Sequence, residues 1–407
     1  VEEVFLRAAQ QGIHGKTDES LAEFADMAIR SPGVCSGLAT ANSMHIAAEA
    51  LGMTVSGAAP VRALSESMWD AARRAARAMA HAIEHDIRPR DILTAGSVTN
   101  AARAMLAIGG SINTIKHLQA IAIEAGVEVD MWDVYRTLGR ETPILCSIRP
   151  NGDHLVEDLE DAGGAATILR ELLPLLDGEQ LTITGKTVAE NAAAARPGDG
   201  DVIRDLDNPF STDPSIVVLR GSLATEGAVV KRPVPDPGPY TFRGPARIFH
   251  SREEGVEAVV NDEIKPGDVA IIRGIGLTGS PAMGMISAFI FALDGRGLLG
   301  DVAVVTDGQM SGLVNHGIGV GEVSPEAAEG GALGLVQDGD IIEIDLKTGS
   351  IDLLVDPAEL EARPPYTPPT AAEISGYLAQ YRDAVQPLAC GAVLRGLASS
   401  SSVGGTK

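Results

Sequence analysis

The chain has 407 residues, enough for two or three domains with full cores, and its 55 Asp plus Glu against 32 Lys plus Arg give a net charge of −23. A surface that acidic disfavours nucleic acid and anionic membranes, which leaves small molecules and other subunits as partners. Its three cysteines, Cys35, Cys146 and Cys390, are too widely spaced for a disulfide framework and suit a reducing cytoplasm. The longest apolar stretch, residues 282–293, is too short to span a bilayer, and no signal peptide is visible at Val1.

Residues 1–180 read mainly as helices. Cys35 sits in Gly33-Val34-Cys35-Ser36-Gly37, a tight turn opening into a helix marked by Thr40, Met44 and Leu51. A helix N-terminus favours a thiolate, so Cys35 reads as a nucleophile, a metal ligand or a small hydrophobe packed under the turn. Residues 67–85 carry Met68, Ala72, Ala75, Met79 and Ile83 at helical spacing. The loop Gly109-Gly110-Ser111-Ile112-Asn113 feeds a second such helix through Ile115, Leu118, Ile121 and Ile123. It could cradle an anion, but it lacks the P-loop lysine and fits no dinucleotide fingerprint. An acidic stretch ending in Gly163-Gly164 precedes a helix that runs to about Leu173, where Pro174 stops it.

The texture changes near Leu181. After a polar connector over 193–214 come short β-type runs at 216–219, 228–230, 269–272, 302–305, 318–320, 341–344 and 351–355. Seven such strands predict a closed or nearly closed β domain rather than a βα repeat. Helical pattern persists at 251–260 and around 282–293. An extended Pro-rich stretch over 361–369, a short helix over 374–385 and a disordered tail from Ala398 follow. This gives an α/β fold class: a helix-rich α/β domain over 1–180, a β-barrel-like domain over 181–360 and an extension over 361–407.

The chain resembles the dihydroxyacid and sugar-acid dehydratase family. Residues that carry the resemblance are the Cys35 turn with Glu49-Ala50-Leu51-Gly52-Met53, Gly109 to Thr114, Glu157-Asp158-Leu159 and Leu181 to Thr187. Lys265-Pro266-Gly267-Asp268, Thr306-Asp307-Gly308-Gln309-Met310-Ser311-Gly312 and Ser324-Pro325-Glu326-Ala327-Ala328 complete it. The resemblance implies an α/β domain holding an iron–sulfur cluster (2Fe–2S or 4Fe–4S) and Mg2+, closed over by a β-barrel domain, in a homodimer or homotetramer. The reaction it implies removes water from a 2,3-dihydroxy carboxylate, a branched-chain dihydroxyacid or a sugar acid, to give a 2-keto acid. Cluster iron would act on the leaving 3-hydroxyl as a Lewis acid. By the same resemblance Cys35 is a cluster ligand and Ser311 is the proton-abstracting base; Ser311, Gly312 and, from its place just after the serine loop, His316 are candidates to meet the substrate.

The family's other two cluster cysteines and three divalent-metal ligands belong to a segment N-terminal to the position of Val1, and the resemblance does not include that segment. Met285 stands where the family has a glutamate ligand, with no Asp or Glu between Arg273 and Leu293, so no divalent-metal ligand is identified. Gln309-Met310 replaces an Arg-Phe pair. These changes leave two readings: a working dehydratase, or a diverged homologue serving as a partner subunit or small-acid binding protein. His45 and His117 read as hydrogen-bonded helix histidines or as side chains facing the pocket. Lys231 and Arg232 read as a solvated strand end or as contacts to a substrate carboxylate.

Overall fold

The computed structural model describes residues 2–14, 20–28, 32–235, 238–314, 317–368 and 374–394. His316 and the stretch from Ala398 lie outside them. Up to residue 215 the described chain is helical, with β structure confined to isolated bridges such as Ile144–Ser211 and Cys146–Ile203. Helix Glu66–Glu84 is capped by Ser65, whose hydroxyl accepts from the Met68 amide at 3.1 Å. Helix Gly164–Leu172 passes into a single tight turn, Leu173–Leu175, at Pro174. Helix Ala95–Ala107 carries no strong periodic signal, because it is buried on nearly every face and so lacks a polar stripe, and helix Met131–Leu138 spans little more than two turns. No described helix is long and apolar enough to cross a membrane.

Eight strands follow: β1 Ile216–Gly221, β2 Ala224–Lys231, β3 Thr241–Phe249, β4 Val269–Ile272, β5 Ala303–Thr306, β6 Ile318–Ser324, β7 Ile341–Asp345 and β8 Ser350–Leu353. They close in the order β1-β2-β6-β5-β4-β3-β7-β8. The sequence misses β3 because Gly244 and Pro245 interrupt it. Both are tolerated, Pro245 on an exposed position opposite Ile341 and Gly244 where an added Cβ would lie 1.9 Å from the Gly267 carbonyl oxygen. The expectation of a barrel without βα units is also corrected. β3, β4, β5 and β6 run parallel, with helix Arg252–Val260 crossing from β3 to β4 and helix Ser287–Gly295 from β4 to β5. The barrel therefore contains a βα run, because parallel neighbours need a crossover.

Side chains on the parallel strands alternate between two cores. Val269 and Ile271 of β4, with Ala303 and Val305 of β5, face the barrel interior. Ala270, Ile272 and Val304 face outward into the core shared with the helices. Helix Ser287–Gly295 begins later than its apolar run because Ala282 and Met283 adopt positive φ, 71° and 62°. Beyond β8, helix Pro357–Ala362 occupies part of the stretch expected to be extended, and helix Tyr377–Ala384 lies within the expected span.

Candidate active site

Parallel strands end on the same side, and register sets Ile272 of β4 beside Thr306 of β5. The loops that follow, 273–286 and 307–314, therefore share one rim of the barrel, where parallel sheets commonly place their chemistry. The Asp307 carboxylate draws them together, accepting the amides of Gly274 at 2.9 Å, Ile275 at 3.1 Å and Ala327 at 3.0 Å. Glu326 does the same for Thr278 and Gly279, each at 2.8 Å. Burial raises both carboxyls above their ordinary values, and Asp307 adds to the rise at Glu326, which reaches about 7.

Ser311 lies on the second loop. Its amide donates to the Ser287 hydroxyl at 3.0 Å, and its own Oγ accepts the Leu313 amide at 3.3 Å. Gly312 is buried where a Cβ would stand 2.6 Å from Ser111 Oγ, so only glycine fits. Met285 bridges Gln309, which seats the loop carrying the missing glutamate beside the serine loop, with the Met285 side chain partly exposed.

Cys35 is brought to the same place from the helical part. The Asn42 side chain donates to the carbonyls of Cys35 and Gly37, fixing the turn ahead of helix Thr40–Ala50. A Cβ at Gly37 would lie 3.0 Å from the Leu313 side chain and 3.1 Å from the Arg149 carbonyl oxygen. The cysteine turn thus abuts the serine loop. A polar chain spans the same joint. Thr40 Oγ1 is 2.9 Å from Ser111 Oγ, and Asn113 donates to Thr40 at 2.9 Å and to the Met310 carbonyl at 3.5 Å. Lys116 donates to Asn113 at 2.7 Å and forms a buried ion pair with Glu322, whose amide binds the Gly308 carbonyl.

Other sequence candidates change role. Lys231 and Arg232 are buried rather than solvated, since the end of β2 lies beneath the helical layer. Lys231 Nζ donates to the carbonyls of Gly109 and Gly110 at 2.8 and 2.7 Å, so that glycine turn presents acceptors to a cation and is no anion cradle. Arg232 stacks on the Tyr240 ring at 3.9 Å. Among the described residues no hydrogen bond reaches the ring of His45 or His117. His45 is exposed, and burial beside Lys116 lowers His117 to about 4. Cys146 is fully buried, which pushes its thiol up, and Cys390 lies on a turn packed against the Gln119–Ala120 backbone. Sequence reasoning missed the Asn113–Lys116–Glu322 network. A lysine within the otherwise apolar stripe of helix Thr114–Ala125 was its signal.

The described residues do not by themselves fit a cluster or a divalent ion. No group of three or more His, Cys, Asp or Glu among them is placed to hold a metal, and neither other cysteine shares the Cys35 turn. The carboxylates nearest the serine loop are already committed to backbone amides.

Residues 2–191 match the family model described as dihydroxy-acid/6-phosphogluconate dehydratase N-terminal, and residues 201–392 match its C-terminal counterpart. The chain is 41% identical over 381 residues to the dihydroxy-acid dehydratase of Moorella thermoacetica, covering 93% of this chain and 69% of that protein. It is 40% identical over 381 residues to that of Acetivibrio thermocellus (93% and 68% covered). To that of Nitratidesulfovibrio vulgaris it is 41% identical over 381 residues (92% and 68% covered).

Proposed function

The chain belongs to the dihydroxy-acid/6-phosphogluconate dehydratase family of hydro-lyases, and from that premise we propose that it dehydrates a 2,3-dihydroxy carboxylic acid to a 2-keto acid. The observation that carries the site assignment is the contact of the Cys35 turn with the Ser311 loop through Gly37 and Leu313. Two elements more than 270 residues apart meet there, each bearing a group suited to this chemistry.

We assign Ser311 Oγ to the proton on C2. The electron pair of the broken C2–H bond becomes the C2=C3 bond of an enol as the C3–O bond breaks and hydroxide leaves; the proton taken by Ser311 passes to that hydroxide to give water, and the enol then tautomerises to the 2-keto acid. The one amide aimed at Oγ, from Leu313, is far less than a serine alkoxide needs, so the base role rests on the family correspondence and the placement of the loop. Gly312 lets that loop close on Ser111. Family members use an iron–sulfur cluster and Mg2+. We assign Cys35 one cluster position and derive no step through either group, since the described residues do not complete a site for them. The diverged-homologue reading gains nothing from the packing, which leaves the serine loop and the cysteine turn in contact.

The test is keto-acid formation from short 2,3-dihydroxy acids by anaerobically purified protein, with iron and sulfide assayed alongside. Ser311→Ala abolishes product while leaving any cluster spectrum intact, and Cys35→Ala loses the spectrum. Retained turnover in Ser311→Ala removes Ser311 from the base role.

A further inference from the structure

A backbone amide shielded from water needs an acceptor, and at the serine loop the usual backbone acceptor is missing. The rim loops 273–286 and 307–314 pair in parallel at Met285 and Gln309. Gln309 donates its amide to the Gly284 carbonyl at 2.9 Å and accepts the Ile286 amide at 3.1 Å. Parallel pairing steps by two residues, so the next rung would join the Ser311 amide to the Ile286 carbonyl. That carbonyl is already taken. The chain turns at Ile286 into helix Ser287–Gly295, and the Ile286 carbonyl accepts the amides of Phe289 at 2.9 Å and Ile290 at 3.3 Å.

Ser287 supplies the acceptor from its side chain. Its hydroxyl oxygen takes the Ser311 amide at 3.0 Å, and the residue is 8% exposed. As the first residue of the helix, between the fully buried Ile286 and Phe289, it stands on a rigid base. The other polar groups of Ser311 are held within its own turn, Oγ by the Leu313 amide and the carbonyl by the Val314 amide at 3.0 Å. Among the described residues, the bond to Ser287 is therefore the one hydrogen bond that ties Ser311 itself to another element. The contacts of Met310 with Asn113 and of Gly312 with Ser111 hold its neighbours instead.

Resting on the dehydratase reading, we infer that Ser287 is a positioning residue for proton abstraction. By holding the Ser311 amide it sets the direction in which Cβ and Oγ leave the backbone, and so the aim of the base at C2. An aliphatic side chain in its place strands the amide, and the loop must turn to find another acceptor. A reacting group displaced by about 1 Å costs on the order of 100-fold in rate. Ser287 acts through Ser311 and has no contact of its own to make with the substrate.

The experiment compares the full-chain enzyme with Ser287→Ala, which deletes the acceptor, and Ser287→Thr, which keeps it. Its readouts are kcat and KM for a short 2,3-dihydroxy acid, the rate ratio between that acid and its C2-deuterated form, and hydrogen exchange at the Ser311 amide. Ser287→Ala lowers kcat roughly 10- to 100-fold with KM little changed, and it raises the deuterium effect because C2–H cleavage becomes the slow step. Exchange at Ser311 quickens about 10-fold, as expected for the loss of one hydrogen bond. Ser287→Thr stays close to wild type in every readout. If Ser287→Ala does not fold, Ser287→Cys, of similar size and with a weak acceptor, takes its place in the same comparison. A lower kcat without a larger deuterium effect marks a loss of packing and overturns the inference, as does an unchanged kcat or unchanged Ser311 exchange. A wild type that forms no keto acid fails the dehydratase reading and the proton-abstraction role with it, while the exchange result still decides whether Ser287 holds Ser311.

Discussion

At the scale of single residues the site is set by what has no room to vary. Gly312 is fixed by Ser111 Oγ, which an added methyl would approach to 2.6 Å, and Ser111 in turn is tied to Thr40 and Ser43. Gly312→Ala must therefore push the serine loop away from the helical part. We expect a cost of about 1–3 kcal/mol from overpacking, seen as a lower urea midpoint, together with a drop in kcat exceeding any change in KM. Wild-type stability and kcat in this variant would show that the loop does not need this close approach. Ser311 and Cys35 were legible as candidates because their motifs are local. The seat of the cysteine turn was not: nothing in Ile148-Arg149-Pro150 shows that the Arg149 backbone meets Gly37, more than a hundred residues away.

At the scale of elements, the joint between helix Thr114–Ala125 and β6 depends on the Lys116–Glu322 pair, whose side chains are 9% and 0% exposed. Glu322 also sits at a φ of 58°, and its second carboxylate oxygen has no hydrogen-bond partner, so the lysine is what compensates the buried charge. Lys116→Met strands that carboxylate and is expected to cost about 3–5 kcal/mol by urea unfolding, whereas combining it with Glu322→Leu restores most of the loss. A single variant within about 1 kcal/mol of wild type would show that the joint is held by apolar packing instead. The elements themselves were unevenly readable. Helix Glu66–Glu84 announces itself through a capping serine and a polar stripe, while Ala95–Ala107 has no stripe because it is surrounded. β3 hides behind Gly244 and Pro245, whose tolerance depends on Gly267 and β7.

At the scale of the whole molecule, buried carboxyls make stability depend on pH. Glu49 accepts the amides of Gly57, Ala58 and Ala59, yet burial outweighs them and lifts its pKa to about 7, as burial and Asp307 do for Glu326. Between their unfolded value of 4.5 and about 7 the folded chain holds more protons than the unfolded one at these groups, so their contribution falls as pH rises through that window. His117, lowered from 6.5 to about 4, has the opposite sign, because the unfolded chain takes its proton first. Glu326→Gln removes one falling contribution, so the difference in urea midpoint between about pH 5.5 and about pH 7.5 should shift toward greater relative stability at the higher pH. An unchanged difference would show that Glu326 is ionised throughout. The amino-acid sequence by itself determined the family and the helical and β halves, and it offered Cys35 and Ser311 as candidates, because each of these is written in short local motifs. Tertiary structure alone decided the parallel run inside the barrel, the rim where the 273–286 and 307–314 loops meet, and the burial of Lys231 and Arg232. It also decided the meeting of Arg149, Gly37 and Leu313. These depend on which strand ends share a side and which surfaces exclude water, and neither is a property of any local stretch of chain.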